Sequence, residues 1–317
     1  LKKDLESKVT FKSDSDTEVL FWGLKIYGKK FINNLEGMFA FAYYDAIKNN
    51  LILSRDRFGE KPLYFTKTEK GIFFSSDIKS LLKYSNIKID ASKENFLHYL
   101  AHGYYPQQIT PFENIQKVHS ATYLEINGKN ILTSKYWSIS DKKINDNSFA
   151  KTYIAKELKR YIDQSFNSDV PISLSLSAGL DSTIIASQAK SKNINFNCFS
   201  LGYENKKGLD EREESRLFAE SKNLKFKSIE IKEKIDFESF KRFVGCQVSP
   251  IADISGYAQY TIAQEVFRNK FKVLLSGVGG DEIFFGYPYL VDTVDLNKKL
   301  ILINNLRGIL KKNILIC

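Results

Sequence analysis

The sequence predicts an α+β chain in two parts, an antiparallel strand-rich half followed by an α/β half built on a parallel sheet. Three observations predict it. Short runs dense in aromatic and β-branched residues, separated by turn residues, fill residues 1 to about 136. From Phe149 onward, strand-like and helix-like segments alternate, the pattern of a parallel sheet with helices on its faces. Within that second half, two apolar runs each end in a glycine-rich turn carrying an aspartate, "SLSAGLDST" at 175–183 and "VLLSGVGGDEIFFGY" at 273–287.

In chain order, "SDTEVLFWGLKIYGKKFINNL" (15–35) predicts a helix, with Ser15 or Asp16 as its cap and Glu18 in its first turn. Strands follow at "GMFAFAYYD", "NLILSRD", "PLYFTKT", "GIFFSSD" and "ATYLEINGKN", with turn chemistry from Asn49-Asn50, Lys70-Gly71 and Asn127-Gly128. A helix at "SKENFLHYLAHG" is capped by Ser92 and closed by Gly103. The polar, aperiodic "WSISDKKINDNS" places a linker at 138–148, dividing a first domain, 1–137, from a second, 149–317. The second half then reads as helix 149–166, strand 170–176, helix 181–192, strand 195–201, helix 210–222, strand 225–231, helices 234–245 and 256–268, and strand 271–276.

Composition bounds the function. With 317 residues, 43% of them hydrophobic and 14% aromatic, the chain can bury the cores of two domains. No apolar run reaches the roughly eighteen residues that span a bilayer, and nothing at the start resembles a signal peptide, so a cytoplasmic protein without a membrane partner is expected. Cys198, Cys246 and Cys317 are few, distant from each other and without adjacent histidines, which argues against a disulfide framework or zinc site. His98 and His102 stand four apart on one expected helix, but no third ligand is evident. The +10 charge comes from basic residues interleaved with acids, as in "KKDLESK" and "DEREESR", so no nucleic-acid partner is expected. The chain opens on Leu1 and stops in "NLRGILKKNILIC"; both ends read as cut.

"SLSAGLDST" leaves a predicted strand and opens a predicted helix. There the first-turn N–H groups lack intrahelical partners and the helix dipole favours an anion. Ser177, Ser182 and Thr183 add hydroxyl donors, and Gly179 permits close backbone approach or a positive φ. No lysine follows the glycine as it does in the Gly-Lys-Ser/Thr loop; Asp181 stands there instead. A carboxylate beside phosphates requires a cation between them, which points to magnesium. Asp281, in the second loop, is the expected partner ligand to Asp181. For either loop alone, an aspartate capping a helix after a glycine turn is the plain alternative.

"SLSAGLDST" resembles the Ser-Gly-Gly-x-Asp-Ser pyrophosphate loop of ATP-pyrophosphatases, and "LSGVGGDEIFFGY" resembles the Ser-Gly-x-Gly-x-Asp-Glu-x-Phe-x-Gly-Tyr motif of glutamine-dependent asparagine synthetases. "SDSDTEVL", "LEGMFAFAYYD", "LSRDRFGEKPLYF" and "FSSDIKSLL" are similar, in the same order, to that family's glutaminase domain. The resemblance implies a truncated glutaminase-type (Ntn hydrolase-like) β-sandwich, followed by an α/β ATP-pyrophosphatase (adenine nucleotide α-hydrolase-like) domain. It also implies an activity: ammonia released from glutamine displaces AMP from a carboxylate adenylated with ATP and Mg2+, as in asparagine synthesis from aspartate. By the same resemblance Asp16 contacts glutamine. Ser175, Ser177, Ala178, Gly179, Asp181, Ser182, Thr183, Ser276 and Gly277 bind ATP or pyrophosphate, and the backbone at Leu201 meets adenine. Asp181 and Asp281 hold the metal. The expected partners are glutamine, ATP, a carboxylate acceptor and a second copy of the chain in a homodimer. Arg55, Asp56 and Arg57 are assigned to a partly buried ion-pair network that fixes a turn.

The family's nucleophilic cysteine and its C-terminal catalytic lysine would lie outside Leu1 and Cys317, so a fragment lacking both termini, inactive as a glutaminase, is expected. Inside the motifs, Ala178 replaces a glycine, tolerable where φ is negative but costing about 1–2 kcal/mol where it is positive. Val278 replaces an acidic residue, and "VSP" at 248–250 stands where relatives have Asp-Glu-Pro. These departures keep two alternatives open, amidation of another carboxylate such as a sugar uronate or peptide acid and a catalytically dead binding partner; the basic charge raises a third, a tRNA-modifying ATP-pyrophosphatase, which leaves the glutaminase-like first half unexplained.

Overall fold

The computed structural model describes residues 1–297 apart from 86, 89, 107–108, 140–146, 206–209, 233, 248 and 290–291. Most of the expected linker, Val248 of "VSP" and the end of the second domain from 298 to 317 therefore lie outside the described residues.

By contact clustering the chain forms two compact units, Leu1–Lys143 with Glu238–Ile254, and Ile144–Phe237 with Ser255–Cys317. The first unit opens with α1 (Lys2–Glu6) and α2 (Asp16–Tyr27). Ser15, not Asp16, caps α2, its hydroxyl accepting from the Thr17 N–H at 3.2 Å. The helix expected to reach residue 35 ends at Gly28, whose φ of +61° leaves the helical region, and continues as a 3-10 stretch to Asn34.

Strands β1 (Ala40–Asp45), β2 (Asn50–Arg55), β3 (Tyr64–Thr68), β4 (Gly71–Ser75), β5 (Gln116–Lys117), β6 (Thr122–Asn127) and β7 (Asn130–Lys135) form two antiparallel sheets, ordered β1-β2-β6-β7 and β4-β3-β5. Leu53, Leu124 and Ile126 of the larger sheet share one buried cluster with Phe65 of the smaller, so the sheets enclose a common core. Helices α3 (Ile78–Ser85) and α4 (Lys93–His102) follow β4 in sequence. Ser92 caps α4 through the Asn95 N–H at 3.1 Å, and Gly103 closes it at φ +77°.

The turn after β2 departs from the expected ion-pair network. Asp56, 0% exposed, accepts from the N–H groups of Phe58 (3.1 Å), Glu60 (2.9 Å), Lys61 (3.0 Å) and Phe39 (3.3 Å). Arg55 donates to the carbonyls of Lys61 (2.7 Å), Val118 (3.0 Å) and Gly59. Neighbouring side chains on an extended strand point to opposite faces, so Arg55 and Asp56 each satisfy backbone groups instead of one another.

The second unit carries α5 (Asn147–Ser165), β8 (Ile172–Ser175), α6 (Leu180–Ser191), β9 (Asn197–Tyr203), α7 (Arg212–Ser221) and β10 (Lys225–Ile231). Helix α8 (Phe237–Cys246) falls almost wholly within the segment that clusters with the first unit, where Lys79 donates to the Gly245 carbonyl and the Ala252 N–H to the Gly103 carbonyl at 2.7 Å. Helix α9 (Ser255–Arg268), β11 (Val273–Leu275) and α10 (Gly280–Phe284) complete the second unit. Its sheet is parallel and ordered β10-β9-β8-β11. One face buries Leu174, Leu176, Ala186, Cys198 and Phe196; the other buries Phe199, Ile229, Ile262 and Val266.

Candidate functional site

The chain leaves β8 through α6 to β9 on one side, whereas β11 pairs with β8 on the other (Val273↔Ile172, Leu275↔Leu174). Strand order therefore reverses between β8 and β11, and ligands of open α/β sheets bind beyond the strand carboxyl ends at such a reversal. Both glycine-rich loops begin there.

The first loop is braced by its own hydroxyls. Buried Ser182 donates to the Ser177 carbonyl at 2.8 Å and accepts from the Ser177 N–H at 3.1 Å, while the Gly179 N–H reaches Ser177 Oγ at 3.2 Å. Thr183 Oγ1 donates back to the carbonyls of Gly179 (3.0 Å) and Leu180 (2.9 Å). Gly179 has φ −66°, so it serves close approach and not a left-handed turn. Ala178 is exposed and is not among the positive-φ residues, which removes the strain penalty its side chain would otherwise carry. Ser175 ends β8, and Ser276 is exposed just past β11. Leu201, in β9, packs partly against the Phe199 and Ile262 cluster.

The two loops touch. A Cβ on Gly277 would stand 2.8 Å from Asp181 Cβ and 3.0 Å from the Ser182 nitrogen, and one on Gly280 would collide with the Asp181 carboxylate. Gly277 and Gly280 thus leave the space that Asp181 occupies. Gly279, at φ +108°, makes the turn that starts α10. Burial, together with the negative charges of Asp281 and Glu282, raises the Asp181 carboxyl above the usual aspartate range. Glu282 is committed elsewhere: it accepts from the Gly279 N–H at 2.8 Å and from Tyr287 Oη at 2.7 Å, which lowers its own carboxyl and pushes the Tyr287 phenol up to about 12. Among the described residues, neither the Asp181 nor the Asp281 carboxylate has a hydrogen-bond or ion-pair partner. The roles of Gly280 and Glu282 escaped the sequence reading; the extra glycine in "GVGGDE" is their signal.

Asp16 belongs to the first unit, exposed at the start of α2. Glu18 fixes the chain ahead of it, accepting from the Ser13 hydroxyl (2.6 Å) and from the N–H groups of Lys12 (2.9 Å) and Ser13 (2.7 Å), and these bonds hold its carboxyl down to about 2. Val278 is 77% exposed. The His98 and His102 rings stack at 6.1 Å, and among the described residues no three His, Cys, Asp or Glu side chains are grouped to hold a metal ion. Buried Cys198 has its thiol pushed up to about 12 by burial, while Cys246 is exposed.

A parallel sheet whose adjacent strands end in two touching glycine-rich loops defines an α/β domain, the class in which ligands bind beyond the strand carboxyl ends. The sequence pattern of the asparagine synthase family matches residues 154–312, and that of a glutamine amidotransferase domain matches residues 1–137. The chain belongs to the asparagine synthase family. Asparagine synthetase (glutamine-hydrolyzing) 1 of Bacillus subtilis is 32% identical over 293 residues, covering 90% of this chain and 45% of the relative. A putative asparagine synthetase (glutamine-hydrolyzing) 2 of Methanocaldococcus jannaschii is 30% identical over 299 residues, covering 90% and 56%. The chain spans about half the length of the curated relatives it matches. A solved NH3-dependent NAD synthetase from Campylobacter jejuni, in complex with nitrate, overlaps 43% of this chain and 60% of its own at 19% identity and a TM-score of 0.29, too slight to bear on the fold.

Proposed function

We propose that the protein forms an amide by glutamine-dependent, ATP-driven chemistry, with aspartate as the acceptor and asparagine as the product. The observation that carries the reading is the convergence of the two strand-end loops on Asp181. A carboxylate is inert to ammonia until one oxygen becomes a leaving group, and adenylation with loss of pyrophosphate supplies that. The first-turn N–H groups of α6 offer donors to the phosphates, positioned by the Ser177–Ser182 brace. Gly277 keeps the second loop close to this helix start. In this reading Ser175, Ala178, Thr183 and Ser276 line the cleft, and the Leu201 backbone meets the adenine ring.

Asp181 and Asp281 fit magnesium by their chemistry: two hard oxygen donors, both unpartnered, in a spot where negative charge is already unfavourable. Two carboxylates alone do not make a full ligand set, in keeping with the absence of a three-residue group among the described residues. Magnesium is commonly held by one or two carboxylates plus substrate phosphates, so the ion would arrive with the nucleotide and neutralise its charge. Asp16, held by the Glu18-braced loop, is the proposed contact for the α-amino group of glutamine.

Two domains are proposed with the division at 138–148: the first is of the kind that releases ammonia from glutamine, although residues 1–137 contain no cysteine to act as the nucleophile, and the second would consume that ammonia. Acceptor-dependent pyrophosphate release by the full-length protein tests the reading. Release from ATP that rises when aspartate is added supports it; release indifferent to aspartate overturns the asparagine assignment and favours a different acceptor, for which exposed Val278 is the supporting feature.

A further inference from the structure

The first unit contains an open depression of about 680 Å³ that shares no residue with the candidate site. It opens where the β3–β4 hairpin turn and the β6–β7 hairpin turn meet the segment after α3. Lys67, Lys70, Lys88 and Lys129 line it, against one acidic residue, Glu69. That imbalance departs from the interleaved charges of much of the chain, where lysines pair with acids, as in Lys29–Glu125 at 2.7 Å and Lys227–Glu265 at 2.6 Å.

The lysines are not equivalent. Lys67 donates to the Lys129 carbonyl at 2.8 Å, which ties one hairpin turn to the other and fixes an ammonium at the cavity wall. Lys88 is paired with Asp90 at 3.0 Å. Lys70 and Lys129 have no ion-pair partner among the described residues. Their turns are set by the backbone, with Gly71 at φ +136° and Gly128 at φ +58°. Thr68 Oγ1, bonded to the Lys70 N–H and the Gly71 carbonyl at 3.2 Å each, braces the first turn.

Several lysines lining one concavity, with one acidic residue among them, focus a positive potential into it. An anion with several charges meets that potential at more than one point. Lysine acts on phosphate as a mobile point charge, so no rigid fork is needed. The volume suits a small molecule, and Ile72 and Ile87 add an apolar patch to the wall. We infer that this cavity binds a small polyphosphate anion, either free or carried on a nucleoside.

The test uses inorganic triphosphate and ADP on the full chain, with magnesium withheld so that Asp181 and Asp281 repel phosphate from the other cleft. Calorimetry is combined with mass-spectrometric mapping of lysine acetylation. The inference expects one site, protection of Lys67, Lys70 and Lys129, and binding about tenfold weaker in the K70E/K129E double variant. K222E/K241E, two exposed positions elsewhere with the same change in net charge, should bind as the parent does. Tighter binding of ADP than of triphosphate assigns the nucleoside-carried form; equal or weaker binding assigns the free polyphosphate. No binding of either probe, equal loss in both double variants, or protection spread evenly over other lysines overturns the inference.

Discussion

Asp56 stands directly after β2 and Asp181 in the first turn of α6, after β8, yet the fold treats them in opposite ways. Asp56 is wholly buried and accepts four backbone N–H groups. Asp181 has no partner among the described residues, and burial with two nearby carboxylates raises its pKa. A carboxylate whose hydrogen-bonding capacity is filled by backbone is a structural part. One left unfilled beside like charges sits where a bound cation would relieve the repulsion.

The comparison breaks first at Asp56. Asp56→Ala strips the partner from four part-buried N–H groups and is expected to cost on the order of 4 kcal/mol in urea unfolding; a loss under about 1 kcal/mol would remove the structural assignment. Ser182→Ala deletes the brace between Ser177 and the helix start and should cost about 1–2 kcal/mol, measured the same way. Ala178→Gly is expected to destabilise by only about 0.5–1 kcal/mol, because the alanine sits at an unstrained φ and the change mainly loosens the unfolded chain. A gain in stability would show strain at Ala178. The smallest effect concerns Glu18. Its carboxyl is held to about 2 in the fold, below an unfolded value of about 4.3. Its stabilisation is present above the unfolded pKa and is lost as pH falls toward 2. Glu18→Gln should therefore flatten the acid limb of a thermal-stability profile in that window, and an unchanged profile would show that these bonds do not contribute.

The sequence reading located the second unit's elements closely because strands and helices there differ in both period and composition. The strand expected at 225–231 is observed as Lys225–Ile231, and the helix expected at 256–268 as Ser255–Arg268. The helix overrun past Gly28 has a local cause: the apolar pattern continued through a glycine whose positive φ ends the helix. The misreading of Asp56 has a different one. Flanking arginines suggested ion pairs, but the donors that matter are main-chain N–H groups, which leave no mark in side-chain identity. For the same reason the two loops were legible as motifs, while the contact of Gly280 with Asp181 needed the register of β8 against β11. The clustering of Glu238–Ile254 with the first unit rests on hydrogen bonds such as Ala252 to Gly103, which span far too much sequence for any periodicity to show.

We propose that Asp181 and Asp281 together form a magnesium-dependent ATP site. The direct measurement is ATP affinity by calorimetry with and without magnesium, in the parent chain and in Asp181→Asn. The account predicts that magnesium tightens ATP binding to the parent by about a hundredfold, or roughly 2.7 kcal/mol, and that Asp181→Asn abolishes most of this gain without loss of stability. Binding of equal strength with and without magnesium, or a variant that keeps the full magnesium effect, would contradict it.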